Sequence, residues 1–110
     1  MMQTQEIQRR FNQIEQTIHQ AAERCRTMDQ MPMDLKDSLQ QLDQKTTQAH
    51  EMMARTQDQN QMMQCVDELE QLGDRAKDAC ERSGNAVDGG LRDAVMQAHR
   101  ELSDLKHQLH

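Results

Sequence analysis

The sequence contains no tryptophan or tyrosine and a single phenylalanine, Phe11. Any core must be built almost wholly from aliphatic and sulfur-bearing side chains, and there is no Trp or Tyr on which unpaired bases could stack. The net charge is −6, with Lys and Arg interspersed among the acids, so nucleic acid is not an expected partner. No apolar run approaches the roughly 18 residues of a membrane-spanning helix. The N-terminal segment MMQTQEIQRRF also lacks the apolar stretch of a secretory signal. The expectation is a cytoplasmic protein without a membrane role. Its three cysteines are odd in number and include no C-x-x-C pair. They fit a reducing compartment, as small buried residues rather than a disulfide framework. One proline and four glycines leave few points at which a helix must stop.

What the chain does have is four-three spacing of apolar and small residues. Ile7, Phe11, Ile14, Ile18, Ala21, Cys25 and Met28 form one seam; Leu35, Leu39, Leu42, Thr46, Ala49 and Met53 form a second, weaker one. Met62, Val66, Leu69, Gly73, Ala76 and Cys80 form a third, and Leu91, Val95, Ala98, Leu102, Leu105 and Leu109 the last. Such spacing places one stripe along a helix face and implies packing against other helices. Glutamine supplies 18 positions, which makes the polar faces broad and the seams narrow. Low hydrophobicity and net negative charge approach the composition of disordered chains, but a heptad repeat sustained over several turns argues for a folded one.

At 110 residues the chain is read as one domain, with helices over about 4–28, 34–56, 59–83 and 89–109. The first must end before Met31-Pro32, because the residue preceding a proline is pushed out of the α region; Asp34 is then the expected cap of the second. After Met53 the seam's frame moves by one residue, about 100° around a helix. Either a turn near Gln57 to Asn60 reverses the chain, with Asp58 as cap and Gln61 completing a capping box, or one helix runs on to Ser83 for roughly 75 Å. The first reading gives an all-α, antiparallel up-down four-helix bundle, which is the predicted fold. The alternative is three helices with one long central helix, assembled as a homodimer.

The bundle passes a volume test. Small Ala21, Cys25, Ala76 and Cys80 would meet Leu35, Leu39, Leu91 and Val95 at the Pro32 end, while Ile7 and Phe11 would meet Ala49, Met53, Leu102 and Leu105 at the other. The final break, Ser83 to Gly90, holds three glycines. Gly84 is suited to a positive φ at a helix end and Asp88 to the next N-cap. Gly73, inside a seam, implies close approach of a neighbouring helix.

Ten methionines, five histidines and three cysteines raise a soft-metal hypothesis, with Cu(I) or Zn as the ion. One candidate is Cys25-x-x-Met28-x-x-Met31-x-Met33, where a thiolate and three thioethers fall around a helix end. The other is Asp104-x-x-His107-x-x-His110, three potential ligands on adjacent turns. In the four-helix topology Met1, Met2, Met52, Met53, Met62, Met63 and Cys65 gather at the same end as these histidines. The competing expectation is that the sulfur residues finish the seam and cover the turn, and that the terminal histidines complement the helix dipole. No cofactor is then required. A di-iron carboxylate site needs Glu-x-x-His on two helices, and this sequence has none. Nor is there a glycine-rich phosphate loop or a G-x-S-x-G elbow, so enzymatic activity is not expected.

Asp67, Glu70, Asp74, Asp78 and Glu81 recur at three-four spacing beside the third seam. From Asp58 onward there are 11 acids against 6 Lys and Arg, a net of −5, whereas residues 1–57 carry 8 against 7, a net of −1. The stripe is either a solvated face or a docking surface for a basic protein partner. The favoured expectation is a small non-enzymatic interaction or structural module that works through helix faces, toward another protein or a second copy of itself. A soft-metal-binding bundle is the alternative.

Overall fold

The computed structural model describes residues 3–28, 31–56, 58–84 and 87–110, and it is an antiparallel four-helix bundle. Helices α1 (Thr4–Arg26), α2 (Met33–Arg55), α3 (Gln59–Ser83) and α4 (Gly89–Leu109) follow one another in the chain. Each packs against its two neighbours, with α4 closing back on α1. The second reading, one continuous helix, is ruled out. α2 ends at Arg55, α3 begins at Gln59, and the molecule measures 42 × 22 × 17 Å.

Every seam faces inward. Ile7, Ile18, Leu35, Met62, Val66, Ala76, Cys80, Leu91 and Leu102 have no exposed surface, and among the described residues the only polar side chain this deep is Thr46, whose Oγ1 donates to the Leu42 carbonyl at 2.6 Å. The expected layers are present. Ala21, Cys25, Ala76 and Cys80 share one apolar cluster with Leu35, Leu39, Leu91 and Val95; Ile7 and Phe11 share the other with Ala49, Met53, Leu102 and Leu105. Large side chains oppose small ones in both, which is how slender helices reach close packing with Phe11 as the one aromatic ring.

The ends of the helices show which local signals act. The Asp58 carboxylate accepts from Asn60 N at 2.9 Å, and the Asp88 carboxylate accepts from Leu91 N at 3.1 Å. Both satisfy donors that a helix start leaves free. The capping box at Gln61 takes a different form. The Thr56 hydroxyl accepts from Asp58 N at 3.1 Å and donates to Gln61 Oε1 at 3.0 Å, so threonine stands between the two partners. Gln57, in the expected turn, lies outside the described residues. α2 starts one residue earlier than expected, with Pro32 rather than Asp34 in the cap position at φ −56° and ψ 135°. Proline's fixed φ serves a helix start and its missing N–H costs nothing there. α1 stops at Arg26, two residues short of the expected Met28, where the Thr27 hydroxyl donates to the Arg24 carbonyl at 2.9 Å. Gly84 ends α3 with φ +56°, a value side chains disfavour.

Candidate functional site

The sulfur run at the Pro32 end is divided by the fold. Cys25 and Met31 are buried and Met28 is half-buried, all three within the apolar cluster of that end. Met33, in the first turn of α2, is 69% exposed and is the large hydrophobic side chain left open to solvent among the described residues. Cys25 and Met33 do share a surface. Both line a groove of about 340 Å³ between α1 and α2, with Ala22 and Leu39 on its floor and Arg26, Lys36 and Asp37 on its rim. Burial pushes the Cys25 thiol above its ordinary value, only partly offset by the Lys36 charge, so it holds its proton rather than standing ready as a thiolate.

The C-terminal run is also split. Asp104 lines a groove between α1 and α4 with Arg10, Gln13, Ile14 and Glu101. His110 turns the other way, toward α3, with Nε2 3.0 Å from Asp67 Oδ1. His107 is exposed. Of the methionines expected at this end, Met53 and Met62 are core residues, while Met52 and Cys65 lie partly buried with Cys65 Sγ 3.9 Å from Met52 Sδ. Met1 and Met2 lie outside the described residues.

Three members of the acidic stripe face basic partners on α4. Asp67 meets His110, Glu70 Oε2 lies 3.4 Å from Lys106 Nζ, and Asp74 meets His99 Nε2. The α3–α4 seam is thus closed by successive acid–base pairs. Asp78 and Glu81 have no ion-pair partner among the described residues.

His19, His50 and His99 carry no motif in the sequence, yet the structure pairs all three with carboxylates. On the α1–α2 seam Glu15 Oε1 lies 3.0 Å from His50 Nδ1, and Glu15 Oε2 lies 3.6 Å from His19 Nε2. His19 presents its other nitrogen to Asp43, which also pairs with Arg26 at 3.1 Å. The Glu15-x-x-x-His19 spacing is visible in the sequence. The cross-helix partners are not, because they depend on how far each helix slides along its neighbour.

A third arrangement brings three ligand types into one place. Oxygen atoms of Glu70 and Asp74 and a ring nitrogen of His99 all lie within 4.8 Å of one another, and this is the group of that kind among the described residues. Gly73 lies beside it. A Cβ there would stand 3.9 Å from His99 Cα, an ordinary van der Waals contact, so α3 and α4 run close together at this level of the seam.

No protein-family model, curated protein or solved structure matches the chain. Among the described residues no helix is long and apolar enough to cross a membrane.

Proposed function

We propose that this chain is a non-enzymatic helical module that docks a protein partner through the groove between α1 and α2. The observation that supports the reading is the exposure of Met33 beside that groove. A methionine that escapes burial in a chain with so few large apolar residues is suited to receive a partner's side chain, and its flexible thioether adapts to different shapes. Lys36 on the rim has no ion-pair partner among the described residues, which favours a segment carrying one apolar anchor flanked by a carboxylate. Asp78 and Glu81, on α3 and away from this groove, are the part of the acidic stripe that remains for a separate contact with basic groups. Three free cysteines fit a reducing, cytoplasmic setting. Peptide display tests the reading. Selection on the protein should enrich acid-flanked apolar sequences that fail to bind Met33→Glu, and peptides that bind both proteins equally would defeat it.

One contact favours the soft-metal reading, the Cys65–Met52 sulfur pair at 3.9 Å. Thiolate and thioether together suit Cu(I). Burial raises the Cys65 thiol, helped by Glu68, so a metal there would have to displace a firmly held proton. An anaerobic Cu(I) competition titration decides it. If the role is real, Cys65→Ser and Met52→Leu each weaken binding while Met33→Leu does not; equal affinity in all of them removes the site.

A further inference from the structure

We infer that Glu70, Asp74 and His99 form a binding site for a first-row divalent cation of the zinc type at the α3–α4 seam. The inference is independent of the docking groove, which lies on the α1–α2 face. Glu70 and Asp74 are four residues apart on one helix, so their carboxylates share a face, and His99 is delivered from the facing helix. The three ligand atoms already lie within 4.8 Å of one another. An ion about 2 Å from each can therefore be reached by small side-chain adjustments. The Glu70 and His99 side chains are 13% and 19% exposed, so two of the three donors are partly withdrawn from water.

Two carboxylates held this close repel unless a cation stands between them. Lys106 serves Glu70 alone at 3.4 Å, and His99 contacts Asp74. A single divalent ion would satisfy both acids at once and free the ammonium to solvent. The donor set narrows the ion. Imidazole with carboxylates suits zinc and its first-row neighbours, whereas Mg²⁺ and Ca²⁺ prefer oxygen throughout and Cu(I) prefers sulfur. The other histidine seam lacks this geometry. His19 offers its two ring nitrogens to different carboxylates, Asp43 and Glu15, so one ion cannot join all of them.

Calorimetric titration of the metal-stripped, reduced full chain with Zn²⁺ tests the site, with Co²⁺ absorption as a second readout. We expect saturation at one Zn²⁺ per chain, weakened at least about tenfold by His99→Gln and by Asp74→Asn. Lys106→Gln should tighten binding, because it removes the competing ammonium; a purely structural ion pair would show no such gain. The His19→Gln, His50→Gln double variant should bind as the parent does. The Co²⁺ spectrum should lack thiolate charge-transfer absorption. Absence of saturable Zn²⁺ binding overturns the proposal. So does binding that survives His99→Gln and Asp74→Asn, binding lost in the His19, His50 double variant, or a thiolate signature. Should His99→Gln fail to fold, the half-exposed Asp74→Asn and the tightening by Lys106→Gln still decide the question.

Discussion

A methyl group added at position 73 would stand 3.3 Å from Leu102 Cδ1, a side chain with no exposed surface. Two effects then oppose each other. Alanine recovers about 1 kcal/mol of helix propensity relative to glycine, while a packed leucine must give by a few tenths of an ångström. The expected result for Gly73→Ala is a change within about 1 kcal/mol. Gly73→Val has no room to adjust and should cost about 2–3 kcal/mol in urea unfolding. The cysteines make a separate prediction. Burial raises Cys25, Cys65 and Cys80 above the ordinary thiol value of 9.0. The unfolded chain gives up these protons near 9.0 while the folded chain keeps them. Unfolding therefore gains from ionisation, and stability falls as pH rises from 9.0 through the folded values. With no tyrosine to titrate there, the effect should be readable. Urea midpoints should drop between neutral pH and about pH 10, and a Cys25→Ala, Cys65→Ala, Cys80→Ala variant should show a shallower slope.

At the scale of elements, the caps divide the helices into two kinds. α3 and α4 begin on aspartates that accept backbone N–H groups, whereas α1 and α2 begin on Gln3 and Pro32 with no side-chain cap bond. Asp58→Ala and Asp88→Ala should each cost about 1 kcal/mol, with asparagine at either position restoring most of the loss; thermal unfolding of the four variants checks this. Gln3→Ala should be silent by the same measurement. The same distinction explains what the sequence made legible. Helix starts at Asp58 and Asp88 were readable because the capping residue is itself the signal. The start at Pro32 was misplaced because an aspartate two residues later competed for the role. The seams were legible since 3.6-residue periodicity is local. The candidate ligand sets were less so. Cys25, Met28, Met31 and Met33 are neighbours in sequence, yet the α2 start carries Met33 outward while Cys25 and Met31 turn into the core. The Glu70, Asp74 and His99 cluster draws His99 from 25 or more residues away, and the nearby Gly73 pointed to close approach without saying which side chain would arrive.

The whole molecule rests on one turn that has no glycine or proline to enforce it. Thr56, Gln57 and Asp58 separate α2 from α3, and all three residue types can be accommodated in a helix. If the turn straightened, residues 33–83 would form a helix of roughly 75 Å. Its two seams would be out of frame, and each half would need the outer helices of a second chain to complete a bundle. That is the geometry of a domain-swapped dimer, and it keeps the same cores and the same neighbours within each half. What stands against it is local: the Asp58 cap on Asn60 N, and the Thr56 hydroxyl between Asp58 N and Gln61. A Thr56→Ala, Asp58→Ala variant removes both and adds two strong helix formers, so it should shift the protein toward the swapped dimer as concentration rises. Light scattering would report a mass near 12.8 kDa for the parent and twice that for the variant. Small-angle scattering would give a longest dimension well beyond the parent's 42 Å axis. A variant that stays monomeric and merely loses stability would mean that the core layers, by their alternation of large and small residues, hold the reversal without help from the turn.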